Sequence, residues 1–179
     1  MLINLDNFLQ EECRPPNELL PWIVYQSSLT DKLKQEAGEA NLTLLRQQWD
    51  SPDWWDEHVL TLKNDPVMHR EILMCAEHEP CWYGRTIIPK QTYESDVTFF
   101  ARLKKESLGQ LIFDNEIIER ISLMSYAINP QVIEYHWLTD VMHGHATILW
   151  ARFSVFMIHK QFSFYLVEIL LPGLMRYAN

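Results

Sequence analysis

The chain has 179 residues, 47% of them hydrophobic and 22% charged, the balance of a soluble globular protein long enough for one sizeable core. Its formal charge of −9, from 15 basic and 24 acidic residues, argues against general nucleic-acid binding, which needs a basic stripe, but leaves room for an anionic small molecule held by a local arginine pair. Three cysteines (Cys13, Cys75, Cys81) make no even disulfide framework, no basic segment opens the chain, and no apolar run reaches the ~18 residues of a membrane span, so the expectation is a cytoplasmic protein with reduced thiols.

The chain opens on helical patterns. NELLPWIVYQ (17–26) has an apolar helical spacing, with Pro21 tolerated near its first turn. In SSLTDKLKQEAG (27–38), Ser28 is an N-cap, Leu29 and Leu33 share a face, and Gly38 is the stop. NLTLLRQQW (41–49) reads as the first strand and DSPDWWDEH (50–58) as a loop or a short turn of helix. Residues 67–76 and 81–88 read as a hairpin joined by Glu77-His78-Glu79-Pro80, with Pro89 ending the second strand. The pattern is helical again over 91–115, where Ser107 caps SLGQLIF, and turns to a strand over 116–126. After a loose stretch at 129–145, TILWARFSVFMI and FSFYLVEILLP make a final hairpin around HKQ. This order predicts a single α+β domain over 1–179, built on an antiparallel sheet of about six strands. Seven Trp, seven Tyr and eight Phe suggest a thick aromatic core or a cavity lined by rings.

Two arginines interrupt the first hairpin, HREILMCAEHEPCWYGRTIIP (69–89), where a core strand has no use for an unpaired guanidinium. With a four-residue loop at 77–80, Arg70 and Arg85 become diagonal neighbours on one face, among Ile72, Met74, Tyr83 and Ile87; a slip of one residue undoes this. With a turn at His159-Lys160, Glu168 is the lone charge on a face with Phe162, Phe164, Leu166 and Leu170, and with Phe153, Val155 and Met157 opposite. With a three-residue turn it faces Arg152 and makes a plain salt bridge. A buried charge left without its partner costs roughly 3–5 kcal/mol, so a surplus arginine wants either a loop carboxylate or an anionic ligand. The helix starts at Ser28-Leu29-Thr30 and Ser107-Leu108-Gly109 would offer free N–H groups to such an anion, or serve only as caps.

SLT (28–30), REILMC (70–75), GRTIIP (84–89), SLGQLIF (107–113) and VEILLP (167–172) together resemble the chorismate lyase family (chorismate–pyruvate lyase, 4-hydroxybenzoate synthase). REIL followed by GRT-x-x-P is the specific part; the helical start is not distinctive. The resemblance implies an α+β fold in which helical flaps cover a buried ligand site, and an activity that splits chorismate into 4-hydroxybenzoate and pyruvate at the start of ubiquinone biosynthesis. It places the ring-carboxylate grip on Arg70, backbone donors at Leu29 and Leu108, and space beside the site at Gly84. It also places Arg85 near the pyruvyl carboxylate and Glu168 near the ring hydroxyl as catalytic groups. No metal or cofactor is implied; the expected partners are chorismate and its product, bound by a monomer. The segment 129–145 departs from the family pattern in length or regularity, and the residue type at Leu29 varies across such proteins.

Other readings stand beside this one. Cys75, His78 and Cys81 look like a metal knuckle but lack a fourth ligand, and His143-Gly144-His145 reads as a loop. Effector-sensing domains of some bacterial transcription regulators share this type of fold, yet only about 40 residues precede the first strand, too few for a winged helix. A protein that holds an aromatic acid without catalysis is the other alternative.

Overall fold

A computed structural model describes residues 14–113, 115–144 and 146–178; Cys13 and His145 lie outside these. Six strands form one antiparallel sheet: β1 (Asn41–Asp50), β2 (Val67–Ala76), β3 (Glu79–Pro89), β4 (Ile118–Ile128), β5 (Leu149–Ile158) and β6 (Phe162–Leu170). Their spatial order is β1-β2-β3-β6-β5-β4, so the two hairpins meet at β3 and β6 in the middle.

Helical segments cover both faces. On the front lie α1 (Leu20–Ile23), α2 (Leu29–Ala37), α5 (Val97–Ala101) and α6 (Leu108–Ile112). Trp22, Ile23, Leu29 and Leu33 pack on Ile72, Met74, Trp82 and Trp150. Phe99, Phe100, Leu108 and Leu111 pack on Met68, Ile88, Phe156 and Phe164. On the back, Trp55 of α3 (Trp54–His58) and Leu138 pack on Tyr83, Ile87, Phe153, Val167 and Ile169. The remaining helices are α4 (Lys90–Ser95) and α7 (Asp140–His143). The loose segment 129–145 includes a 3-10 turn (Ile133–Trp137) besides α7.

The caps expected from sequence are present. Ser28 accepts the Asp31 N–H, Ser107 accepts the Gln110 N–H, and Gly38 closes α2 with φ of 79°. Asp53 adds a capping box at α3, where its side chain and that of Asp56 each accept the other's backbone N–H.

The first hairpin corrects the register expected from sequence, and the last adopts one of the two registers that sequence left open. The first is a two-residue turn, with Ala76 paired to Glu79 and a bulge between Met74 and Cys75. Glu77 (φ 48°) and His78 (φ 68°) both adopt left-handed backbone, the signature of a type I′ turn. The pairing becomes Arg70↔Thr86 and Glu71↔Arg85, one residue away from the four-residue loop. Arg70 and Arg85 therefore point to opposite faces, because neighbouring strand residues alternate. The last hairpin has the three-residue turn: Ile158 pairs with Phe162 and Arg152 with Glu168. Glu168 thus shares its face with Arg152, Ser154 and Phe156 instead of Phe153, Val155 and Met157.

Left-handed backbone is costly for residues other than Gly and Asn. Replacing Glu77→Asn and His78→Gly together should stabilise the protein by about 1 kcal/mol. The midpoint of urea unfolding would rise with an unchanged slope; a fall would mean that the side chains of Glu77 and His78 matter more than the turn geometry.

Candidate functional site

The front of the sheet carries a narrow cleft between the strands and the starts of α2 and α6. Arg70, Gly84 and Glu168 line its floor, and Thr30, Ser107 and Leu108 line its roof. Four of the six site residues expected from sequence, Arg70, Gly84, Leu108 and Glu168, thus meet around one space. Leu29 is buried in the adjoining core and its neighbour Thr30 lines the cleft.

Arg70 is 1% exposed. Its Nε donates to the Leu103 carbonyl at 2.9 Å and its Nη2 to the Glu106 carbonyl at 3.0 Å. These carbonyls belong to the chain leading into α6, so the arginine ties this flap to the sheet. Among the described residues no carboxylate pairs with Arg70. Burial lowers its guanidinium to about 10, which still leaves it charged near neutrality. A buried cation fixed by two carbonyls on one side, with a cleft on the other, is suited to a carboxylate ligand.

The two helix starts come close above it. A Cβ on Gly109 would stand 2.9 Å from Ser28 Oγ, so glycine permits the approach of α6 to α2. The N–H groups of Leu29 and Leu108 begin their helices, where no earlier turn supplies them an acceptor. Below, Gly84 lies between Ile72 and Glu168 in the register. A Cβ there would meet Ile72 Cγ1 at 3.1 Å, so its absence keeps the floor open.

Glu168 is 8% exposed and has Arg152 behind it, with Nε 3.6 Å from Oε2, an ion pair just beyond hydrogen-bond reach. Arg152 is wholly buried, and its Nη1 and Nη2 donate to the carbonyls of Trp22 and Tyr25. Arg120 lies over the rings of Phe113 and Phe156 and donates to the Gln26 carbonyl. Burial lowers the Arg120 guanidinium to about 10, with Glu168 opposing that fall and Arg152 adding to it. Sequence reasoning admitted Arg152 only as a salt-bridge partner and overlooked Arg120, although a charge inside the strand-like EIIERISLMSY was a visible signal.

Arg85 does not reach this cleft. On the back face its Nη2 donates to Asp53 Oδ2 at 2.5 Å and approaches His69 Nε2 at 3.1 Å, with the Trp137 ring 4.4 Å from the guanidinium. His69 lies between two carboxylates, Nδ1 3.0 Å from Asp50 and Nε2 2.8 Å from Asp56. The side chains of Asp53, Asp56 and His69 come close enough together to hold a metal ion, but the Arg85 guanidinium already brings a positive charge to that cluster. Burial pushes the Asp53 carboxyl up, but the Asp56 N–H and the Arg85 charge outweigh it and hold the group below the usual carboxylate range.

Cys75 and Cys81 are free, and burial pushes the Cys81 thiol up to about 11, the environment of an inert core thiol. Among the described residues no helix is long and apolar enough to cross a membrane.

Comparison with known proteins adds two likenesses. The family model described as chorismate lyase matches residues 10–175. The chain is 32% identical over 105 residues to the chorismate pyruvate-lyase of Citrobacter koseri, covering 58% of this chain and 64% of that one. It is 26% identical over 171 residues to the "Probable chorismate pyruvate-lyase" of an Azoarcus species, covering 90% of each. Among solved structures, the effector domain of PhnF from Mycobacterium smegmatis superposes with a TM-score of 0.57 at 17% identity, over 83% of this chain and 91% of that one. That level of identity speaks for the fold alone.

The pairing of Asp53 with Arg85 gives a pH-dependent expectation. A carboxyl whose folded value is depressed contributes stability above its unfolded value, and that contribution is lost as pH falls through the folded one. Arg85→Met should therefore destabilise the protein clearly at pH 7 and much less near pH 3. Thermal unfolding of both variants across that range is the check; an equal loss at both ends would mean that Arg85 acts by packing on Trp137 alone.

Proposed function

The chain belongs to the chorismate lyase family, and on that premise we propose that it is a lyase converting chorismate to 4-hydroxybenzoate and pyruvate, the step that opens ubiquinone biosynthesis. The observation that carries this reading is Arg70: a buried guanidinium with carbonyls behind it, a cleft before it, and Glu168 across that cleft.

Arg70 grips the ring carboxylate, with further donors from the helix starts at Leu29 and Leu108. Gly84 leaves room for the flat ring against the sheet. Glu168 accepts a hydrogen bond from the ring hydroxyl and lies where a ring proton can be taken up. The ether C–O bond breaks with its electron pair on the enolpyruvyl oxygen. The ring loses the proton on its hydroxyl-bearing carbon and becomes aromatic, and the released enolate takes up one proton at its methylene carbon to become pyruvate. Aromatisation supplies the driving force, so the protein's work is orientation and charge stabilisation in a site closed from water. Arg85 has no contact with the ring in this reading; it holds the opposite face.

The test is to incubate the purified protein with chorismate and chelator and to follow 4-hydroxybenzoate and pyruvate together. Equal formation of both is expected. Glu168→Gln should lower kcat sharply. Arg70→Met should weaken 4-hydroxybenzoate at least about tenfold, since charge-assisted hydrogen bonds are worth roughly 1.5–3 kcal/mol. Tight binding of 4-hydroxybenzoate without turnover would instead identify a protein that only holds the aromatic acid.

A further inference from the structure

We propose that Arg120, Arg152 and Ser154 form a second anion subsite beside Glu168, which receives the second carboxylate of a dicarboxylate ligand and makes the cleft selective for dianions. The proposal takes its ligand from the lyase reading above and adds residues to it.

The charge count on the front face comes first. Three guanidinium groups, Arg70, Arg120 and Arg152, stand against one carboxylate, Glu168. The charges on the covering helices pair among themselves in solvent, Lys32 with Glu36 and Arg102 with Glu106. The surplus is thus two positive charges under the flaps. One carboxylate at Arg70 neutralises half of it.

The donor count comes second. Among the described residues, Arg120 Nε, Arg152 Nε and Ser154 Oγ are buried and make no hydrogen bond, Arg152 Nε having only the longer ion pair to Glu168 Oε2 at 3.6 Å. Arg152 and Ser154 are both 0% exposed. Residues 152, 154 and 156 alternate onto the front of β5, and Arg120 lies over Phe156, so the three donors form one group at the β4–β5 end of the site. Glu168 stands between this group and the cleft. Buried donors without acceptors are uncommon in folded proteins. An acceptor-rich anion satisfies all three and relieves the repulsion between the two guanidinium groups. In chorismate the enolpyruvyl arm carries such a carboxylate, on the ring carbon next to the one that bears the hydroxyl and meta to the carboxylate that Arg70 would hold. The role beside the pyruvyl carboxylate that the family resemblance placed on Arg85 falls in this reading to residues on the cleft's own face.

The test compares two unreactive probes by calorimetry: 4-hydroxybenzoate, and 3-(carboxymethoxy)-4-hydroxybenzoate, which adds a second carboxylate on an ether arm. The wild-type protein should prefer the dicarboxylate. Arg120→Gln should weaken the dicarboxylate at least about tenfold and 4-hydroxybenzoate by less than about threefold, and Arg120→Lys should recover part of the loss. Arg120 is only half-buried, which favours a folded variant, and thermal unfolding verifies it. If the arginines serve only to staple residues 22–26, both probes weaken together and the subsite is refuted. A wild-type protein without preference refutes it independently of any variant. Chorismate turnover without probe selectivity sinks the subsite alone; selectivity without turnover sinks the lyase reading and leaves the subsite standing.

Discussion

Side chains of a strand alternate between two faces, so the bulge between Met74 and Cys75, where Cys81 is the extra residue, decides which residues of β2 and β3 share a side of the sheet. The two-residue turn alone would set Arg70 opposite Arg85; the one-residue shift at the bulge instead puts Arg70, Ile72, Met74, Gly84 and Thr86 together on the front. The same bulge leaves His69, Tyr83, Arg85 and Ile87 together on the back. β6 then inherits its facing from β3 and β5 from β6, which is how Glu168 arrives opposite Gly84 and beside Arg152. A ligand site and a structural ion cluster are separated by nothing more than the parity of one hairpin.

The two faces handle charge differently. The back is closed by its own groups: Arg85 and His69 are met by Asp50, Asp53 and Asp56 at hydrogen-bond distances. On the front, the arginines are held chiefly by main-chain carbonyls, and only Glu168 answers their charge. Carbonyl dipoles orient and partly solvate a guanidinium without neutralising it. Such a face keeps a standing affinity for anions, whereas the back face has none left to offer.

Much of this was legible in the sequence. Ser28, Ser107 and Gly38 announce their helices because capping chemistry is local, and the six strands follow from apolar runs bounded by turns. Arg70, Gly84, Leu108 and Glu168 were marked by the family's motifs and do gather at one cleft. What escaped was parity. Neither Glu77-His78 nor His159-Lys160 contains the Asn or Gly that usually signals left-handed turn residues, and all four have positive φ. At the first hairpin loops of two and four residues give the same facing, so it is the unsignalled bulge between Met74 and Cys75 that moves Arg85 through the sheet, while at the last hairpin the turn length alone decides. Arg120 escaped for a different reason: its meaning depends on Gln26, 94 residues away.

The arginines of the front face grip the flaps by the carbonyls of Trp22, Tyr25, Gln26, Leu103 and Glu106. Every amino acid presents the same carbonyl, so this attachment is blind to side-chain identity. The covering segments are therefore free to drift during evolution, changing the shape and polarity of the roof while the anchors below remain fixed. A scaffold of this kind can acquire new ligands by altering its lid without having to reinvent the means of holding it down.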